Sequence, residues 1–99
     1  MKGFTLVISM AAKQDLEGIY HFSLENWGVN QTEHYLTCFK TKLSELSNNP
    51  NIGQKRQDLL TNTRSILVGH HIIFYRISSL KIHILRVLHE RQDPTQQVE

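Results

Sequence analysis

The sequence predicts an α+β fold: an N-terminal strand, then an antiparallel helical hairpin packed on a mainly antiparallel four-stranded sheet. Three observations predict it. Residues 63–91 read as three successive runs rich in Ile, Val, Leu and aromatics, broken at Gly69-His70 and Ser78-Ser79. Residues 10–48 change to helical spacing, interrupted near Gly28. Residues 4–8 form a short β-branched run ahead of both.

In the first strand, Phe4, Leu6 and Ile8 fall on one face by the two-residue period. Ser9 is placed to cap a helix. That helix presents Ala12, Leu16, Ile19, Tyr20 and Ser23 on one stripe and is expected to run to about Asn26, where Gly28 ends it. Trp27 is expected to plug the corner with its apolar ring. Asn30 to Glu33 has the pattern of a capping box for the second helix. Tyr35, Leu36, Phe39, Leu43 and Leu46 form its apolar stripe, and Asn48-Asn49-Pro50 stops it. Residues 51–62 read as a polar connection anchored by Ile52, Leu59 and Leu60. After Arg91 the chain turns polar, so residues 92–99 are expected to fray as a flexible tail on a single domain of 99 residues.

Composition narrows the function classes. One cysteine, Cys38, excludes an intrachain disulfide framework and is expected on the core side of its helix. No apolar run approaches the roughly 20 residues of a membrane span. No secretory leader pattern follows Met1-Lys2, which points to the cytoplasm. Charge is unevenly spread. Residues 1–54 carry four basic against five acidic residues, and residues 55–99 carry seven against four. The strand half is the basic half, suited to an acidic segment or a phosphate backbone.

Arginines recur inside the strand runs at Arg64, Arg76 and Arg86, and Arg91 follows the last. Charge within a strand implies one packed face and one open face carrying cations. Tyr75 has two placements: beneath the helices, which is the expectation, or on the open face beside the arginines. The six histidines do not form a metal pattern. His70 and His71, if both in a strand, point to opposite faces, and no cysteine pair or carboxylate–histidine spacing accompanies the others. No metal and no cofactor is expected. No helix-turn-helix with a basic recognition helix is evident, so direct sequence-specific nucleic acid binding is not expected.

The order of motifs resembles the ParE branch of the RelE/ParE toxin superfamily, the toxin halves of bacterial type II toxin–antitoxin modules. The likeness covers almost the whole chain. Residues 11–20 are similar to the family's first helix, and Trp27-Gly28 with Tyr35-Leu36 to its corner and second helix. Asn49-Pro50-Asn51-Ile52-Gly53 is similar to its NP-x-IG loop. Residues 68–76 and 84–94 are similar to its G-x-H-x-I-F-Y strands and its closing ILRVLHxR-x-DP.

The resemblance implies a RelE/ParE-like fold and a toxin that inhibits DNA gyrase by binding, with no chemistry of its own. It implies neutralisation by a cognate antitoxin, whose extended or helical segment folds onto the basic partner. Arg64, Arg76, Arg86, His89 and Arg91 are the expected partner-binding residues. A homodimer or a toxin–antitoxin hetero-oligomer is consistent with it. The polar tail departs from relatives that continue with a short apolar helix, and the terminus bears on toxicity in this family. One alternative is the RelE-like branch, a ribosome-dependent mRNA endoribonuclease. There Arg64 and Arg86 would hold the scissile phosphate and His89 would move the proton. Another is a degenerate toxin that retains only antitoxin binding.

Overall fold

The computed structural model describes residues 3–98. The start at Met1-Lys2, expected to be free of a leader, and the last tail residue, Glu99, lie outside the described residues. Strand β1 (Thr5–Ile8) leads into α1 (Met10–Trp27) and α2 (Val29–Asn48). A 3-10 turn at Pro50–Ile52 precedes β2 (Gln54–Lys55), β3 (Thr63–Val68), β4 (His71–Ser78), β5 (Lys81–His89) and a one-turn α3 (Pro94–Gln97). The sheet order is β1-β5-β4-β3-β2, with β1 parallel to β5 and the other pairs antiparallel. The sheet has five strands where four were expected, because Gln54-Lys55 adds a short edge that its polar residues do not announce. Among the described residues no helix is long and apolar enough to cross a membrane.

Ser9 caps α1 as expected. Its Oγ accepts the Ala12 N–H at 3.0 Å and donates to the Leu85 carbonyl at 2.8 Å, so one hydroxyl ties the helix start to β5. The helices meet at one residue. Gly28, with φ +84°, ends α1 and is also the cap residue of α2. A side chain at that φ would be strained, which explains the glycine. The capping box at Asn30 and Glu33 does not form. Helix α2 starts at Val29, so Asn30 is already inside it, and Thr32 donates both its N–H (3.2 Å) and its Oγ1–H (2.7 Å) to the Gly28 carbonyl. Trp27 sits at the corner with Phe22 and Tyr35 edge-on to it, yet remains 43% exposed.

The main core lies between the hairpin and one sheet face. It holds Ala12, Ile19, Phe39, Leu46, Val68, Ile73, Tyr75, Ile82, Ile84 and Val87. Tyr20 is exposed instead of joining the α1 stripe, and Cys38 is exposed on α2, so neither expectation for these residues holds. Tyr75 takes the core placement. Its hydroxyl donates to the Pro50 carbonyl at 2.7 Å and accepts the Gly53 N–H at 2.9 Å. A Cβ on Gly53 would run into that hydroxyl, so the glycine is required by close approach.

The other sheet face is not simply open. Phe74, Leu88 and Val98 are buried there, with Leu59, Ile72 and Leu85 packed around them. The run Ile72-Ile73-Phe74-Tyr75 is apolar on both sides, the pattern of a strand covered on both faces. The expected frayed tail instead folds back over residues 93–98. Asp93 caps α3 by accepting the Thr95 N–H, and Val98 is only 6% exposed. A single apolar residue among polar ones sets this. In the connection, Leu59 anchors as expected, but Ile52 and Leu60 are exposed.

Strand β5 carries one extra residue against β4. Phe74 faces Arg86 and Tyr75 faces Ile84, leaving Leu85 without a partner. As a result Ile84 and Val87, three apart, both reach the main core.

Candidate functional site

The five expected partner-binding residues do not converge on one point. Arg64 lies opposite the buried Tyr75 on the hairpin side of β3. Its Nη1 donates to the carbonyls of Gly53 (2.8 Å) and Asn51 (3.3 Å), so it holds the loop that follows α2. Arg76 is on the opposite face, paired in register with Thr63 and His83. Its Nη2 meets Thr63 Oγ1 at 3.5 Å, and its buried Nε has no partner among the described residues.

Arg86 starts on the same face as Arg76, but β1 ends at Ile8 and leaves the edge of β5 open beyond Ile84. The guanidinium turns around that edge onto α1. Nε donates to Asp15 Oδ2 at 2.8 Å and Nη2 to Oδ1 at 2.9 Å, and Asp15 Oδ2 also accepts the Val87 N–H at 2.9 Å. A fork-on-fork pair of this kind is strong and directional. Nη1 adds the Gln97 carbonyl at 3.2 Å. Arg86 therefore joins α1, β5 and the C-terminal turn.

His89 ends β5. Its Nδ1 accepts the Arg91 N–H at 3.2 Å, and its own N–H donates to Gln92 Oε1 at 2.8 Å. Arg91 is exposed in the turn that follows. His89 belongs to a cluster that strict alternation misses. His70 lies in the β3–β4 turn, not in a strand, so it is free to join His71. His70 stacks on His89 (6.4 Å, 12° between planes), and His71 meets His89 edge-on at 5.3 Å. Glu90 takes the His70 Nδ1 at 2.9 Å.

Tyr35 knots this cluster to α2. Its oxygen accepts the His70 N–H at 3.0 Å and lies 2.7 Å from His71 Nδ1. Burial, reinforced by His89 and His70, pushes the His71 imidazole down to about 4. His71 is thus neutral near pH 7, and its Nδ1 shares a hydrogen bond with the Tyr35 hydroxyl. Among the described residues no group of three His, Cys, Asp or Glu could hold a metal ion.

The sequence reading also missed Arg56. Its guanidinium lies 5.4 Å from the centre of the Phe74 ring and pairs with Asp58 at 3.0 and 2.7 Å. Hydrogen bonding to Asp58 raises the Arg56 pKa. Arg56, Lys55, Arg64, Thr63 and Leu60 line a cleft of about 580 Å³ beneath the 56–62 connection. A loop arginine beside Asp gives no periodic signal, so only the fold brings it to the sheet.

With this geometry in view, known proteins supply the rest. The profile described as "ParE toxin of type II toxin-antitoxin system, parDE" matches residues 6–94. The chain belongs to the ParE toxin family. It is the toxin type of a type II toxin–antitoxin system. Among curated relatives, Toxin ParE1 of Mycobacterium tuberculosis is 34% identical over 88 residues, covering 88% of this chain and 90% of the relative. Toxin ParE1 of Caulobacter vibrioides is 32% identical over 83 residues, covering 84% and 85%. Among solved structures, the chromosomal ParDE system of P. aeruginosa superposes with a TM-score of 0.75 at 19% identity, over 87% of this chain and 95% of that one. The RelBE2 complex of Mycobacterium tuberculosis gives 0.62 at 24% identity, over 88% and 98%. Both share the fold. In this ParE toxin Asp93, just ahead of Pro94, caps α3, and Val98 packs onto the sheet.

Proposed function

We propose that this ParE toxin inhibits DNA gyrase by binding, without turnover, and that a cognate antitoxin neutralises it. The observation that carries the reading is the commitment of the cations. Cleaving RNA needs cations and an acid–base group converging on one phosphate. Here Arg64 holds loop carbonyls on the hairpin side, Arg86 is forked onto Asp15 at the β5 edge, and His89 Nδ1 is already an acceptor. The basic cleft at Lys55, Arg56 and Arg64 and the exposed Arg91 suit an acidic or phosphate-bearing partner surface. The family match and the relatives named as ParE toxins point the same way.

The test is titration of the purified protein into gyrase supercoiling and DNA-cleavage assays, beside a ribosome-dependent mRNA cleavage assay. Stoichiometric accumulation of cleaved DNA, weakened by Arg91→Ala, is expected. Cut mRNA with gyrase untouched, lost in His89→Ala, would replace this reading with ribonuclease. Inactivity in both assays, with antitoxin binding retained, would mark a toxin that has kept only its partner surface.

A further inference from the structure

We infer that the cleft beneath the 56–62 connection binds a small phosphate-bearing molecule of nucleotide size, a nucleoside phosphate. The inference goes beyond the gyrase and antitoxin reading and stands whether or not that reading holds.

The charges carry the first half of the argument. Lys55 of β2 and Arg64 of β3 are register partners, so their side chains leave one sheet face side by side. Like charges directly opposite each other on paired strands destabilise the pair. Among the described residues neither takes part in an ion pair. Arg64 Nη1 meets only the uncharged carbonyls of Gly53 and Asn51. Arg56 brings a third cation to the cleft, and Asp58 offsets that one alone. The sheet adds no counter-charge: its five strands carry Lys55, Arg64, Arg76, Lys81 and Arg86 and no Asp or Glu. Two cations held side by side without an acid make a seat for a dianion. Phosphate is the dianion that a guanidinium fork and an ammonium both recognise.

The cavity carries the second half. It encloses about 580 Å³, the size of a small-ligand site. Its walls are preformed. The Arg56 N–H donates to the Thr63 carbonyl at 2.9 Å, and the Thr63 N–H donates to the Leu60 carbonyl at 3.2 Å, so the connection is closed on itself. Asn62 turns it at φ +65°. Leu59, Leu60 and Ile77 add an apolar lining. A phosphate on the cations with a flat, weakly polar ring against the aliphatic side chains describes a nucleoside phosphate. Inorganic phosphate alone would leave most of the cavity unfilled. A nucleic-acid strand would need cations leading out of the cleft, and the other strand arginines stand elsewhere. Arg76 is on the opposite sheet face, and Arg86 is forked onto Asp15.

The test is calorimetric titration at low ionic strength with ADP, adenosine, inorganic phosphate and a short single-stranded oligodeoxynucleotide, repeated on Lys55→Gln and Leu60→Asp. Both positions are exposed, and circular dichroism checks that the variants fold. ADP is expected to bind with Kd below about 1 mM, inorganic phosphate more weakly, and adenosine not at all. Each variant is expected to weaken ADP about tenfold or more, Lys55→Gln by removing a cation and Leu60→Asp by adding a carboxylate. Lys55→Gln should also raise the Tm of the free protein by about 1–4 °C, because it removes the like-charge pair. A lower Tm would show that the lysine already serves the fold and would overturn the charge argument. No ADP binding up to about 10 mM, or binding equal in both variants, would overturn the site. An oligonucleotide bound about tenfold tighter than ADP would make the cleft part of a polymer track and overturn the small-molecule assignment. Each of these results leaves the gyrase and antitoxin reading to its own assays.

Discussion

Removing the Asp15 carboxylate tests whether Arg86 is a structural clamp. In Asp15→Ala, the Arg86 guanidinium and the Val87 N–H both lose their acceptor. Breaking a fully buried ion pair costs about 3–5 kcal/mol. Here the Arg86 and Asp15 side chains keep 22% and 14% exposure, so water screens part of the loss. The expected cost is about 2–3 kcal/mol. For a chain of this size that lowers Tm by about 8–20 °C. Arg86→Ala and the double variant complete a cycle, with a coupling of about 1–2 kcal/mol expected from denaturant unfolding. Additivity within about 0.5 kcal/mol would refute the clamp and return Arg86 to the partner surface. The clamp also governs how toxicity data are read. A loss of activity in Arg86→Ala counts as a partner contact only when measured well below that variant's Tm.

Three further predictions concern other parts of the molecule. His71 titrates at about 4 in the folded state against its ordinary 6.5. Between those values the unfolded chain takes up a proton that the folded chain refuses. Stability should therefore fall as pH drops through that window and level off below it, by on the order of 1–2 kcal/mol after allowance for partial exposure. A pH profile unchanged in His71→Gln would rule this out. Tyr75→Phe strips the Gly53 N–H and the Pro50 carbonyl of their partner and should cost about 1–3 kcal/mol, whereas a Tm equal to wild type would show that water replaces the hydroxyl. Val98→Ala should cost about 1–2 kcal/mol in chemical denaturation by uncovering Phe74 and Leu88, and no cost would mean that the tail contributes nothing to the second cluster.

Long-period signals were the legible ones. The two helical stripes, the three strand runs and the Ser9 cap follow from spacing and cap chemistry. So does Tyr75 in the core. The misses have local causes. At the hairpin corner, Gly28 serves both helices and leaves the Asn30 box no role. A lone Val98 in a polar tail carries no periodicity. For the site, the sequence supplied the residues but not their engagements. Arg86 reads as a free strand cation because its partner, Asp15, lies 71 positions away. The histidine cluster was hidden because alternation was applied to His70, which stands in a turn.

The unpaired Leu85 has a consequence for how β5 tolerates change. Ahead of it, even-numbered Ile82 and Ile84 point beneath the hairpin; after it, odd-numbered Val87 does. The strand is thus written in two frames, joined at one residue. Deleting Leu85 would merge them into one regular alternation, leaving Arg86 opposite Phe74 and Val87 opposite Ile73. Substitutions along β5 would each be felt at one position. A single-codon deletion at Leu85 would leave inside and outside unchanged along the rest of the strand, at the cost of the carbonyl that accepts the Ser9 hydroxyl.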